Sequence, residues 1–410
     1  VRLGPEEIDL SVLARGGTDR PVVGLVNRLL VEAYRRGASD IHIEPCEREV
    51  AVRFRVDGLL SDFGSLPLRV RESVSTRVKI LAGLDIAERR LPQGGRIRIR
   101  IRQHDKARDL DFRVSCLPTV WGEKIALRLL DQARVMLDLI ELGFEPASLE
   151  RFAAAIARPY GIVLVTGPTG SGKTNTLYSA LASLNRRDTH IVTAEDPVEL
   201  NLRGVNQVQI RDSVGLSFAV ALRELLRQDP DVIMVGEIRD YETAEIAVKA
   251  ALTGHLVLST LHTNDAPSTI ARLVNMGIEP FLVGTAVQLV QAQRLVRRIC
   301  PGCKQDATDE IPERTLIGAG FGREELASLE VCRGRGCPAC GGSGYKGRVG
   351  LYETLELSER IRDLVMIGAT PIEIRKAAIA EGMLTLRMSG LEKVRKGITT
   401  LEEVLRETVS

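Results

Sequence analysis

Apolar residues recur along the chain with two different periods, and the places where the period changes mark its organisation. From Pro21 to Arg36, Val22, Val26, Leu29, Leu30 and Ala33 fall at helical spacing, and Pro21 suits a first helical turn, where its missing N–H costs nothing. After this helix the period becomes two. Ile41 and Ile43, then Val52, Phe54 and Val56, then Ile97, Ile99 and Ile101 alternate with polar or charged partners, as in strands with one solvated face. Asp57-Gly58 between two such runs predicts a hairpin turn. Alternation ends near Asp131, so residues 1–130 are expected to form a small α+β domain with a largely antiparallel sheet. Residues 131–149 contain Gly143 and Pro146 and no clear period, and are expected to be a linker.

From residue 150 to 410 the texture differs. Short apolar runs at Ile162 to Val165, Ile191 to Thr193, Val232 to Val235 and Leu256 to Leu258 are separated by stretches long enough for helices, which predicts a parallel sheet covered on both faces. Helical patterns return over residues 350–410, where Thr370-Pro371 and Thr400-Leu-Glu-Glu403 resemble helix starts, the second as a capping box. The fold class is thus α/β, a small α+β domain followed by a parallel-sheet domain that ends in a helical tail. The chain shows no internal repeat and no low-complexity segment.

Composition narrows the function classes. A hydrophobic fraction of 44% with 27% charged residues is that of an ordinary globular protein. Lys+Arg 56 against Asp+Glu 54 leaves +2, too balanced for a protein that holds nucleic acid chiefly by neutralising phosphates, and 4% aromatics leave few rings for base stacking. No stretch reaches the roughly 18 apolar residues of a membrane span, and no basic-then-apolar leader opens the chain, so a cytoplasmic location is expected. The start at Val1 rather than Met predicts an upstream segment.

Gly167-Pro168-Thr169-Gly170-Ser171-Gly172-Lys173-Thr174 fits G-x-x-x-x-G-K-[ST], directly after an apolar run and before the helix-compatible segment that opens at Asn175. Such a loop wraps backbone N–H groups around phosphates at a helix N-terminus, Lys173 neutralises their charge, and the Thr174 hydroxyl can ligate Mg²⁺. Asp231 to Glu237 is a second apolar strand that delivers a carboxylate at its C-terminal end, where open parallel sheets bind ligands. Glu237 is therefore the expected base that orients an attacking water. With Gly236 at the position where many such proteins place an Asp, metal contact there is expected through water. Thr193-Ala-Glu-Asp-Pro-Val-Glu199 places Glu195 or Asp196 as further candidates for metal or water. Of the two histidines bracketing the next strand, His255 and His262, the second lies at the ligand end and is the expected γ-phosphate sensor.

Five of the seven cysteines crowd together, with Cys46 and Cys116 apart. Cys300-x2-Cys303 and Cys337-x2-Cys340 form two knuckles, and four thiolates make a closed tetrahedral site for a structural Zn²⁺ within a module spanning 300–347. Cys332 is a fifth thiol, expected to be a bystander, with competition as a ligand as the alternative, and the excursion Lys304 to Gly336 is expected to be too polar to fold without the metal. Arg96, Arg98, Arg100 and Arg102 stripe one strand face. Because Asp105, Asp109 and Asp111 follow at once, intersubunit or intramolecular pairing is expected rather than contact with nucleic acid or acidic lipid.

Taken together, the phosphate loop, the acidic Ala-Glu-Asp-Pro-Val-Glu, Arg227-Gln-Asp-Pro-Asp231, Gly236-Glu-Ile-Arg-Asp240 and the Thr-Gly-His…Leu-His-Thr-Asn-Asp segments resemble the secretion ATPases of type II secretion and type IV pili over nearly the whole chain. The wording of the acidic and histidine segments, with Gly-Tyr-Lys-Gly-Arg-Val-Gly, is most similar to the pilus assembly (extension) branch, with type II secretion second. The resemblance implies a RecA-like P-loop ATPase domain that uses ATP and Mg²⁺. It also implies a homo-hexameric ring of two-domain subunits at the inner face of the inner membrane, and an inner-membrane platform protein as partner. It further implies that Arg113 and Arg128 of the first domain reach the phosphates, and that Arg223, Arg227 and Arg239 occupy basic family positions. The tetracysteine motif agrees with the family and is lacking in typical retraction ATPases. The rivals from other classes are a RecA-like helicase or DNA translocase and a nucleotide-gated scaffold with negligible turnover.

Overall fold

The computed structural model describes residues 6–9, 21–103, 106–130 and 138–408. The chain divides into two compact units, Val1–Arg134 and Val135–Ser410, each with its own apolar core. Asp105 and residues 131–137 of the expected linker lie outside the described residues.

The first unit carries a seven-stranded sheet: β1 (Glu6–Asp9), β2 (Ala38–Pro45), β3 (Val50–Val56), β4 (Leu59–Leu66), β5 (Gln93–Gln103), β6 (Lys106–Thr119) and β7 (Gly122–Leu130), in the order β1-β5-β6-β7-β2-β3-β4. All neighbours are antiparallel except β1 on β5. The hairpin turn between β3 and β4 forms at Asp57 and Gly58 with φ of 48° and 88°, both left-handed as a tight hairpin requires. The helices Pro21–Arg35 and Arg71–Ala82 cover the apolar face, where Val26, Leu30, Val74 and Val78 meet Ile41, Phe54, Ile97 and Phe112. The other face is charged. There Arg96 and Arg98 share Asp111 and Arg100 pairs with Asp109, so these three arginines of the stripe find carboxylates within the chain.

The second unit is built on β8 (Gly161–Thr166), β9 (Ile191–Glu195), β10 (Asn206–Gln209), β11 (Val232–Val235), β12 (Leu256–Leu261), β13 (Val287–Ile299) and β16 (Tyr345–Glu356), in the order β10-β9-β11-β12-β8-β13-β16. The first six are mutually parallel and β16 closes the edge antiparallel to β13, while β14 (Lys304–Asp306) and β15 (Cys332–Gly334) pair in a separate two-stranded antiparallel sheet. β8, β9, β11 and β12 are buried at every position, because helices cover both faces; continuous apolar runs are what such strands need. β13 and β16 carry no continuous apolar run to mark them in the sequence, because the buried Gln288, Gln291, Gln293, Glu353 and Thr354 interrupt it.

Three expectations need correcting. Residues 138–149 are not free linker: Ile140–Leu142 forms a 3-10 turn, the helix Pro146–Ile156 starts within the segment, and Leu142 and Glu145 are buried. The capping box belongs to Thr370 and Glu373, not to the last helix. Thr400 caps Leu401–Glu407 through the Glu403 N–H, while the fully buried Glu403 carboxylate turns away to Arg297 and Arg406. The excursion 304–336 also has an apolar core of its own. Leu316, Phe321, Leu329 and Val331 pack against Leu391, Val394, Leu401 and Val404 of the C-terminal helices. The polar composition conceals this because half of that core is supplied from some 60 residues further along.

Candidate functional site: a phosphate loop with a glutamate and histidine opposite

The carboxyl ends of β8, β11 and β12 converge, as open parallel sheets place their binding crevices. β8 leads through 167–172 into the helix Lys173–Leu184. Gly167, Gly170 and Gly172 have φ of 146°, 83° and 92°, a left-handed backbone that turns successive N–H groups inward and that other residues adopt only with strain. Lys173 Nζ donates to Gly167 O at 2.7 Å and Pro168 O at 3.2 Å, so its ammonium spans the loop that would cradle a phosphate. Burial pushes this ammonium down to about 8; Glu237 opposes the shift and the like charge of Arg294 adds to it. Thr174 stands exposed in the first turn of the helix and Asn175 beside it is half-buried.

Glu237 lies just past β11 with its side chain 16% exposed. Arg239 Nη2 donates to its Oε1 at 2.5 Å, and His262 Nε2 stands 3.3 Å from its Oε2. Burial raises the Glu237 carboxyl, but the Arg239 hydrogen bond and charge, with His262, outweigh it, and the net is a lowered pKa that keeps the group ionised. The two histidines that bracket β12 have different surroundings: the His255 ring contacts Ala250 O at the far end of the strand, whereas His262 sits at the ligand end with Glu237. Thr166 Oγ1 accepts from the Thr263 N–H at 2.9 Å and lies 2.7 Å from Thr263 Oγ1, tying the histidine loop to the end of β8.

Glu195 departs from expectation. It is buried, and both oxygens are occupied: Tyr178 donates to Oε2, and Thr193 (2.6 Å) and Gln207 (2.9 Å) donate to Oε1. Its carboxylate therefore fixes β9 to the helix behind the phosphate loop, with three of its roughly four acceptor sites taken within the chain. Arg223 pairs with Glu242 and Arg227 with Glu224, so of the three basic positions in this unit only Arg239 reaches Glu237. In the first unit Arg113 and Arg128 are directly opposed on β6 and β7, and both are exposed on the charged face while Phe112, Val114 and Leu127 point into the core. Arg128 Nε donates to Asp40 Oδ1 at 2.9 Å. Gln293 and Arg294, which sequence analysis missed, lie against the phosphate loop; polar residues inside an apolar run at Val287–Ile299 were the available signal.

At the far end of β13 the sulfurs of Cys300, Cys303, Cys337 and Cys340 all lie within 4.8 Å of one another, with three pairs at 3.7, 3.8 and 3.9 Å. Four sulfurs at about 2.3 Å from a tetrahedral Zn²⁺ stand about 3.8 Å apart, so this donor set fits zinc. Against the opposing effect of desolvation, hydrogen bonds from the N–H groups of Cys337 and Gly344, at 3.2 and 3.3 Å from its sulfur, lower the Cys340 thiol, while burial raises that of Cys303. Cys332 stands outside this group, against Gly397.

A family model described as "Type II/IV secretion system protein" matches residues 17–406. The chain is 54% identical over 403 residues to the type IV pilus assembly ATPase PilB of Myxococcus xanthus (strain DK1622), spanning 98% of this chain and 70% of that one. It is 47% identical over 406 residues to the type II secretion system protein E of Klebsiella pneumoniae, spanning 99% and 80%. Among solved structures it is similar to the pilus retraction motor PilT with bound ADP, with a TM-score of 0.59, 27% identity, and 93% and 96% of the two chains covered. No helix among the described residues is long and apolar enough to cross a membrane.

Proposed function

The chain belongs to the type II/IV secretion system protein family, and we propose that within it this is the ATP-hydrolysing motor of type IV pilus assembly. The observation that carries the reading is the convergence of Lys173 on the phosphate loop with Glu237, Arg239 and His262 at the ends of adjacent parallel strands. A RecA-like phosphate-loop site needs that arrangement. The 54% identity to the Myxococcus pilus assembly relative, against 47% to the Klebsiella secretion relative, supports the pilus branch.

In this reading the loop 167–174 holds the phosphates through its backbone N–H groups, and Lys173 leaves the Gly167 and Pro168 carbonyls to meet phosphate oxygens. Glu237 accepts a hydrogen bond from the water that attacks the γ-phosphorus; the bond to the β–γ bridging oxygen breaks and ADP leaves. Arg239 and His262 hold the Glu237 carboxylate ionised and aimed, and His262 reports on the γ-phosphate. Mg²⁺, for which the exposed Thr174 hydroxyl is a suitable hard oxygen donor, would supply neutralisation of phosphate charge when bound. Arg113 and Arg128 are proposed to meet the transition-state charge when the first unit, residues 1–130, closes over the nucleotide held by residues 150–410. The subunits are proposed to form a hexameric ring that works on a platform protein at the inner face of the inner membrane, with Zn²⁺ at the four cysteines as a structural clamp.

Deletion of the gene tests the branch. Cells without surface pili are expected; hyperpiliated cells indicate retraction, and normal pili with lost exoprotein release indicate type II secretion, the reading that the Klebsiella relative favours. Purified protein should hydrolyse ATP without stimulation by DNA, and stimulation would favour a translocase.

A further inference from the structure

β13 pairs with β8 in parallel with Ala292 level with Thr166, so the residues that follow Ala292 stand beside the phosphate loop itself. Gln293 is 1% exposed and uses both ends of its amide: Nε2 donates to Ser171 O at 2.8 Å and Oε1 accepts from Thr176 Oγ1 at 2.8 Å. One side chain thereby grips the loop and the helix that follows it. The Gln293 carbonyl lies so close to Gly167 that a Cβ there would come within 2.5 Å of it, which excludes any side chain at the first loop position. Arg294 then makes a fork. Nη1 donates to Gln293 O at 3.0 Å, and Nη2 donates to Asn264 O and Asn264 Oδ1, both at 3.1 Å, in the loop that carries His262.

We propose that Arg294, seated by Gln293, is a positioning residue that locks the histidine loop 262–265 to the phosphate loop, so that His262 and Glu237 keep a fixed place relative to the phosphates. This rests on the reading of the site as one that hydrolyses ATP. A planar guanidinium holds Gln293 O on β13 and Asn264 in the histidine loop on one rigid fork, which a single ammonium does not provide. The guanidinium is also half-buried, and among the described residues no carboxylate lies within ion-pair distance of it. Burial therefore lowers its pKa, with only Glu407, Glu353 and Asp265 pulling the other way from further off. Its uncompensated charge falls on Lys173, which otherwise faces Glu237, itself held by Arg239 and His262. Arg294 thus has two separable attributes, a fork and a charge.

The test compares the full chain with Arg294→Gln and Arg294→Lys, measuring ATP turnover and the binding of a fluorescent ADP from pH 6.5 to 9.5. Arg294→Gln should lower kcat by about 10- to 100-fold, the scale of a misplaced catalytic group, with KM for ATP changed less than about threefold at pH 7. The same variant should move the pH at which ADP binding is lost upward, because a like charge beside Lys173 has gone. Arg294→Lys should keep the parental pH midpoint and still lose turnover, because it retains charge without the fork. Turnover of Arg294→Gln within twofold of the parent, or a lowered turnover with an unmoved midpoint, overturns the proposal. If Arg294→Gln gives no cooperative melt, Arg294→Lys decides by its turnover: a loss supports the fork and parental turnover refutes it. A parent chain that binds no ADP overturns the ATP-site reading itself, and this inference with it.

Discussion

Replacing Glu237 by Gln removes one negative charge and leaves the shape of the site unchanged. In the parent, that carboxylate is held by Arg239 at 2.5 Å and faces His262 at 3.3 Å, with its pKa lowered so that it is ionised at neutral pH. An amide cannot take a proton from water in the transition state, and losing a general base costs about 10²- to 10⁴-fold in kcat, or roughly 3–5.5 kcal/mol. Binding should respond differently. Arg239 and His262 lose their anionic partner beside the phosphates, and a negative charge facing ATP is gone, so nucleotide affinity is expected to hold or rise. Steady-state turnover from phosphate release, paired with equilibrium binding of ATP to the variant at pH 7, separates the two effects. Turnover within threefold of the parent would refute the role of Glu237. Loss of ATP binding would show that the carboxylate holds the nucleotide rather than orients water.

The pH dependence of binding follows from Lys173. Its ammonium, held down at about 8, loses its proton as pH rises through that value, while a bound phosphate favours the protonated form, so ADP affinity should fall above pH 8 by up to about tenfold per unit. Flat binding from pH 7 to 9.5, measured by titration calorimetry, would exclude Lys173 as the phosphate cation, and Lys173→Ala should abolish binding or turnover across the whole range. One zinc per chain is expected by metal analysis. Cys337→Ser with Cys340→Ser should release it and raise hydrogen exchange first in residues 304–336, with the apolar contacts to the C-terminal helices limiting the loss; full zinc retention would overturn the ligand set. Arg113→Ala or Arg128→Ala should lower kcat far more than it weakens ATP binding, since a cation delivered by closure acts on transition-state charge. Arg128→Ala also takes one partner from Asp40, which keeps Ser39 and Arg55, so a thermal melt of each variant checks that the lost turnover is not lost folding. Parental rates in both would refute closure in this form.

What the sequence determined by itself is whatever local spacing encodes. The helix at Pro21–Arg35, the Asp57-Gly58 turn, the four core strands β8, β9, β11 and β12, the phosphate loop and the two cysteine knuckles each follow from residues within a few positions of one another, where periodicity and backbone preference act directly. The tertiary structure decided what depends on partners far along the chain. Glu195 reads as a free acid in the sequence and is closed off by Tyr178 and Gln207; Glu403 reads as half of a capping box and is claimed by Arg297, 106 residues away. Gln293 reads as a blemish in an apolar strand and reaches the phosphate-loop helix across 117 residues. The excursion 304–336 reads as too polar to fold because half of its core comes from the C-terminal helices. A buried polar group is stable only when its hydrogen bonds are made, and which distant group makes them is fixed by the packing of sheets and helices rather than by any pattern nearby.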